Sequence, residues 1–390
     1  MNVFTILSAS LHRHSIALIL MIATVMACSS ALAAPAAKNP DLDPQKRTKL
    51  ESTVMNQNLT LEKRIRALKE LYSDRTVNGR IERTICAWDP LGKPGPIAAA
   101  TNDQILRSMH YGMKLDIVIF QNEKALISTF LNEKKCDAIL VRGAATKPFN
   151  KFSATIEALG ALPERRHLQL LMQVLANPSM GKRLTNDNYT IMGVATIGDS
   201  YVFMEDKSVN SLLSMPGKNI AVQYTDLGMI ELIKAVGATP VEGDMMESVQ
   251  TFADKKVPSM ISPAIGYLVM GAGQMNQDVG AITTPIAQST MQLIGRTEQF
   301  PPELAQILRE DFLFKFDNYA RRVDKEVALV EDSFWITPPE EDKVKLADVY
   351  QGVRIKLRDQ GFYDASMLRL ARKIRCRFEP TNQECTNPVE

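Results

Sequence analysis

Histidine is scarce. Four occur in 390 residues, and two of them, His12 and His14, fall in the N-terminal leader. His110 and His167 remain, both in predicted helices with no carboxylate or thiol motif beside them. A Ser-His-Asp triad or a histidine-rich metal site is hard to build from them; they read as surface or packed histidines. An excess of one charge is also missing. Lys and Arg total 46 against 44 Asp and Glu, and removing Arg13 with the leader leaves 45 against 44. Near neutrality argues against nucleic acid or an anionic surface as the main partner. Beyond the leader no run has the length and apolarity of a membrane helix. No Cys-x-x-Cys pair or nearby histidine gives metal-ligand spacing. These absences predict no catalytic residue, no metal and no cofactor.

What is present begins with an export signal. Arg13 precedes the apolar stretch Ser15–Ala27, which is too short to span a bilayer comfortably. Ala31-Leu32-Ala33 supplies the small-x-small pattern of a cleavage site, so residues 1–33 read as a signal peptide. Val25-Met26-Ala27-Cys28 also resembles a lipobox, which leaves a lipid anchor through Cys28 as the alternative to plain secretion into the periplasm. Residues 34–44 read as a disordered Ala/Pro/Lys-rich leader.

Five cysteines occur. Setting Cys28 aside, Cys86, Cys136, Cys376 and Cys385 form an even set, which in an oxidising compartment suggests disulfides. Three connectivities are open. Local pairing of Cys376 with Cys385 is the simplest, and Cys86 and Cys136 then pair by default.

The mature chain is longer than one core usually serves, which predicts two lobes. Helical spacing at Leu61, Ile65, Leu68 and Tyr72 precedes a strand at Ile81–Ala87. Strands at Lys114–Phe120 and Cys136–Val141, with a helix at Asn122–Glu133, complete a β-α-β-α-β unit and imply a parallel sheet. After a helix at Leu162–Leu175, Tyr189–Glu205 reads as strand, tight turn at Gly198-Asp199-Ser200, and strand. A short helix is expected at Ser208–Leu213. A second β-α-β-α-β unit follows: strands at Asn219–Gln223, Thr239–Glu242 and Val257–Ser262, helices at Leu227–Ala235 and Met245–Phe252. The expected layout is lobe 1 over 45–190, lobe 2 over 191–280, and 281–390 as a return segment with C-terminal helices that pack on lobe 1 and across the hinge.

In open parallel sheets ligands sit beyond the carboxyl ends of the strands. That rule nominates Trp88, Asp89, Arg142, Tyr201, Gln223, Tyr224, Pro263 and Tyr267 as ligand-binding residues. Asp89 and Arg142 end neighbouring strands; a charged pair there can fix a polar solute, or be a structural ion pair. Trp88, Tyr201, Tyr224 and Tyr267 can supply flat walls, although an aromatic near a cleft more often packs than binds. Gly92-Lys93-Pro94-Gly95 stands where a phosphate loop would, but it lacks Gly-Lys-Ser/Thr, and a simple turn explains it as well.

The segments ICAWDPLGKPGPIAAATNDQ, CDAILVRGAATKPFNKF, IEALGALP, LLSMPGKNIAVQYTD and KIRCRFEPTNQEC, in this order, resemble a family of solute-binding proteins related to the periplasmic receptors of tripartite ATP-independent (TRAP) transporters. The resemblance implies an α/β periplasmic-binding-protein (Venus-flytrap) fold braced by C-terminal helices. The implied partners are a small solute and an inner-membrane transporter. Some members carry the label of a resistance-nodulation-division efflux component linked to aminoglycoside resistance, so a non-catalytic accessory role in an efflux complex is the alternative. Typical TRAP receptors place a carboxylate-clamping arginine after a Gly-Lys-like turn; here Gly217-Lys218-Asn219-Ile220 leads to Ala221, with Arg142 as a candidate substitute.

Overall fold

The computed structural model describes residues 41–271 and 278–390. The signal peptide and Cys28 lie outside them. The chain is helical from Pro44. Asp43 accepts from Lys46 N and opens α1 (Pro44–Met55); Thr60 opens α2 (Leu61–Leu71), which buries Ile65, Leu68 and Leu71. Then come β1 (Ile81–Trp88), α3 (Pro96–Ser108), β2 (Met113–Phe120), α4 (Glu123–Glu133) and β3 (Ala138–Arg142). β1 runs parallel to both neighbours, with Ile85 beside Ile117 on one side and Ala138 on the other. α5 (Arg165–Leu175) buries Leu168, Leu171, Met172 and Leu175.

The segment expected to turn at Gly198 does not. It is one 16-residue strand, β4 (Tyr189–Met204). Its pairing with β9 (Ala287–Arg296) slips between Thr196 and Asp199. Gly198 absorbs the slip with φ +95°, a conformation that costs a side-chain-bearing residue. The glycine therefore makes a bulge where a hairpin was expected. A second correction concerns Ser208–Leu213, which is not a helix. Asp206 captures the Ser208 N–H and Ser211 captures that of Leu213, leaving a single 3-10 turn at Leu212–Ser214.

The second unit is β5 (Asn219–Gln223), α6 (Leu227–Ala235), β6 (Thr239–Gly243), α7 (Met245–Ala253) and β7 (Ser259–Pro263), followed by α8 (Ile265–Val269). β8 (Gly280–Ile282) and β9 return the chain. The sheet order is β2-β1-β3-β9-β4-β7-β5-β6, with β8 and the two-residue β10 (Trp335–Ile336) off this path. Two parallel trios thus flank one antiparallel pair. The first part of β4 lies against β9, and its last residues, Ser200–Met204, lie against β7. β4 and β9 are the strands that both halves share.

The C-terminal third is helical: α9 (Pro302–Phe314), α10 (Phe316–Val327), α11 (Glu340–Asp359) and α12 (Ala365–Phe378). α11 packs on α6 in the second half, tied by Lys356–Glu231 at 2.5 Å. α12 packs on α5 in the first half, with the His167 and Phe378 rings edge to face at 4.7 Å. Buried Arg354 and Arg375 donate to the carbonyls of Leu159 and Ala161 and pair with Glu390 and Glu384. Disulfides join Cys86 to Cys136 and Cys376 to Cys385. Among the described residues no helix is long and apolar enough to cross a membrane.

Candidate functional site

Each strand-end residue reaches its place for a local reason. Asp89, just past β1, is fully buried. Its carboxylate accepts the backbone N–H groups of Leu91, Ile97 and Ala98, each at 2.9 Å. It therefore neutralises the positive end of α3, and the Gly92–Gly95 loop wraps it so closely that a Cβ on Gly95 would stand 2.0 Å from its oxygen. Asp89 is a helix cap. The expected Asp89–Arg142 pair does not form, because those three amides already hold the carboxylate.

Arg142, at the end of β3, finds another acid. Its Nε and Nη2 donate to Glu123 Oε2 at 3.1 and 2.5 Å, while its backbone N–H donates to Glu123 Oε1 at 2.9 Å. Burial works against the guanidinium, but the charge and hydrogen bond of Glu123, with the Asp226 and Glu157 charges, together outweigh it and hold the pKa above the ordinary arginine value. Nη2 also donates to Thr225 Oγ1, beyond β5, at 2.7 Å. That bond links the first half of the sheet to the second. Asn122 repeats the link from α4, donating to Asp244 before α7 at 3.2 Å.

Behind Arg142 lies a small polar cavity of about 20 Å³, lined by both halves. Gln223 ends β5, Ser262 and Pro263 end β7, Ser289 and Thr290 come from β9, and Glu157 and Asp226 add two carboxylates to a wall that Val222, Met229 and Ile261 make partly apolar. The Glu157 carboxylate accepts from Thr290 N at 2.5 Å, Thr290 Oγ1 at 2.6 Å and Ala144 N at 2.9 Å. Burial, with the Asp226 charge adding to it, pushes its pKa up to about 7. Asp226 caps α6 through Met229 N, and burial raises its pKa too. Gln223 Oε1 and the Ser262 hydroxyl are buried without a hydrogen-bond partner among the described residues.

The aromatics divide. Trp88 donates from Nε1 to the Gln121 carbonyl at 3.0 Å and carries the Arg142 guanidinium 5.2 Å from its ring centroid. Tyr224, half-buried, stands beside the Glu123–Arg142 pair, close enough that both charges act on its hydroxyl. Tyr201 donates to Asp199 and packs edge-on against Trp335. Tyr267 is buried against Phe334 at 4.8 Å. The latter two pack within the second half and line neither the polar cavity nor the larger one beside it.

That larger cavity, about 120 Å³, lies between the first half's sheet face and α3, α9 and α10. Trp88, Ile97, Ile197, Ile265, Met291 and Leu293 give it apolar walls. Of its polar residues, Asp311 is held by Tyr111 and, from outside the lining, by Arg107 and Lys315, while burial raises the pKa of Glu326. Ile197, beside the β4 bulge, lines both cavities.

Glu123, Glu157 and Thr290 carried no signal in the sequence, since nothing in spacing or periodicity marks a lone acid or a mid-strand threonine; Ser262 did carry one, as the last residue of a predicted strand. Asp226 did carry one: an Asp directly before a predicted helix is a cap candidate at a cleft.

Comparison with known proteins decides what this architecture is. The family model for "Solute-binding protein AdeT 1/2" matches residues 97–390. The chain belongs to this solute-binding family. Among curated proteins it is 27% identical over 303 residues to the "Probable solute-binding protein AdeT1" of Acinetobacter baumannii, covering 76% of this chain and 98% of that one. It is 24% identical over 228 residues to the AdeT2 protein of the same organism, covering 58% and 96%. Among solved structures, a TRAP periplasmic solute-binding protein of Desulfovibrio salexigens with bound orotic acid superposes with a TM-score of 0.61 at 14% identity, over 76% of this chain and 99% of that chain. One from Shewanella oneidensis with bound succinate gives 0.60 at 11% identity, over 76% and 99%. At such identities the likeness establishes the two-lobed fold of TRAP receptors.

Proposed function

We propose that this solute-binding protein holds a small organic solute between its lobes in the periplasm and hands it to a membrane transporter, without chemical change. The observation that carries this reading is the polar cavity: strand ends of both lobes line it, and Arg142 of one lobe donates to Thr225 of the other at 2.7 Å. A solute touching both lobes gains contacts that exist only when they are closed, so binding favours closure. On this reading the first lobe is built on β1–β3 and the second on β5–β7, with β4 and β9 as the shared hinge strands and α11 and α12 as braces. The solute-bound TRAP receptors of the same fold support it. His167 supports a non-catalytic reading: both its ring nitrogens are buried without partners among the described residues, and burial lowers its pKa.

The test is native mass spectrometry of the protein purified without refolding, joined to small-angle scattering before and after unfolding and refolding to strip any ligand. A retained small molecule whose removal expands the particle is the expected result. A particle that retains nothing and does not change when offered a broad metabolite panel would sink the reading.

A further inference from the structure

The larger cavity is walled by hydrocarbon from both halves of the molecule. Its floor is the sheet, through Ile85, Ile117 and Leu293, with Ile97 of α3 facing them. Ile197, on the shared strand β4, and Ile265, which opens α8 in the second half, close it. The space measures about 120 Å³. Protein interiors keep few voids larger than a water molecule, and an empty one costs stability in proportion to its volume. A molecule that fills it restores the contacts its lining lacks.

The polar groups of this wall are turned mostly to the protein. Thr101 and Ser108 each donate to a carbonyl of their own helix at 2.7 Å, and Thr196 accepts from Gly198 N at 3.1 Å. Gln104 donates to Tyr319 at 3.0 Å and accepts from Lys315, while Tyr111 and Lys315 hold Asp311. No lining residue leaves a buried polar atom without a partner among the described residues; the polar cavity does, at Gln223 and Ser262. Arg322 and Glu326 stand one turn apart on α10, and water reaches both. The Arg322 side chain is 42% exposed and pairs with Asp103 of α3, and Glu326 is half-buried. These two charges lie at the rim.

Resting on the solute-binding reading above, we propose that this cavity takes the hydrocarbon body of an apolar solute, about one six-carbon ring in size. An engineered cavity of roughly 150 Å³ lined by aliphatic and aromatic side chains stays dry and binds benzene. A compact polar solute of equal size gives up its water here and meets too few polar groups to replace it. Gln104, Thr196 and Tyr319 keep neutral N–H or O–H hydrogens, and a carboxylate would also stand beside Asp311 and Glu326. A hydrocarbon gives up no hydrogen bond, and its burial is favourable in proportion to its area. Because Ile197 and Ile265 close the space, the apolar contact is complete only with the halves together, so such a solute favours the closed state.

Toluene, erythritol and succinate, titrated calorimetrically into the ligand-stripped protein, separate the possibilities. The expected result is binding of toluene at least about tenfold tighter than of either polar compound. Ala100→Leu adds hydrocarbon to the cavity from α3, and Leu293→Phe adds it from the sheet. Either variant, with unchanged circular dichroism, should abolish toluene binding, and the better-packed one should raise the thermal midpoint of the ligand-free protein; if one fails to fold, the other carries the test. Erythritol or succinate binding as tightly as toluene overturns the apolar assignment while leaving solute binding in place. Toluene binding that survives in a folded, filled variant lies elsewhere and overturns the site. Failure of toluene to bind also overturns it; the mass-spectrometric and scattering test then decides separately whether the protein binds solutes at all.

Discussion

Arg142 and Glu123 hold each other by three hydrogen bonds, two from the guanidinium to Oε2 and one from the Arg142 backbone to Oε1. The pair is 8% and 3% exposed. Removing one partner strands the other, so Arg142→Ala should lower unfolding free energy by about 3–5 kcal/mol. Replacing both, as Arg142→Met with Glu123→Leu, should restore most of that loss. Urea denaturation of the three variants measures it. A mild loss in the single variant would mean the pair is solvated, and Arg142 would again be free to meet a ligand.

Glu157 gives a pH signature. Its pKa of about 7 in the fold lies above its ordinary 4.5, so the folded state binds its proton more tightly than the unfolded state. That stabilising contribution is complete below about pH 4.5 and is lost as pH rises through 7. The shift corresponds to at most about 3 kcal/mol, less what partial solvent contact screens. Comparing wild type with Glu157→Gln across pH 5–8 isolates it: wild type should lose stability relative to the variant as pH rises. A constant difference would place the Glu157 pKa outside this window.

The two disulfides should differ in worth. Cys86 and Cys136 are separated by 50 residues, Cys376 and Cys385 by 9. Loop-closure entropy then gives about 4 kcal/mol for the first and about 3 kcal/mol for the second. Paired Cys→Ala variants, unfolded in urea, should follow that order, and non-reducing peptide mapping should recover both native pairs. A cross-pairing would overturn the assignment.

Periodicity made most of the scaffold legible. The strand containing Ile85, Lys114–Phe120, and Asn219–Gln223 each emerged within a residue or two of their final bounds, because apolar runs between turn residues leave little choice. Ser208–Leu213 was misjudged because Asp206 and Ser211 hold amides that a helix would need. The site was less legible. Asp89 and Arg142 were rightly seen as strand ends, but which charge meets which depends on Ile97 and Ala98 N–H groups and on Glu123, contacts that one-dimensional spacing cannot express. Glu157 enters through Ala144 N and through Thr290, 133 residues away.

Gly198 is where β4 passes from one half of the sheet to the other, and two separate penalties protect it. Its φ of +95° is costly for any residue with a side chain, by about 1–3 kcal/mol. A Cβ there would also stand 2.9 Å from Val323 Cγ1 on α10. Gly198→Ala should therefore destabilise the protein by at least the conformational amount, with the clash in addition. Val323→Ala removes the opposing methyl groups but cannot change the backbone, so Gly198→Ala/Val323→Ala should recover only the steric part once the cost of Val323→Ala alone is subtracted. Urea midpoints of the three variants form a double-mutant cycle that reads this coupling. No net loss in Gly198→Ala would show that the strand can cross without the bulge, and the shared strand would then be free to straighten. Full recovery in the double variant would mean contact with α10, not backbone conformation, is what requires glycine at this crossing.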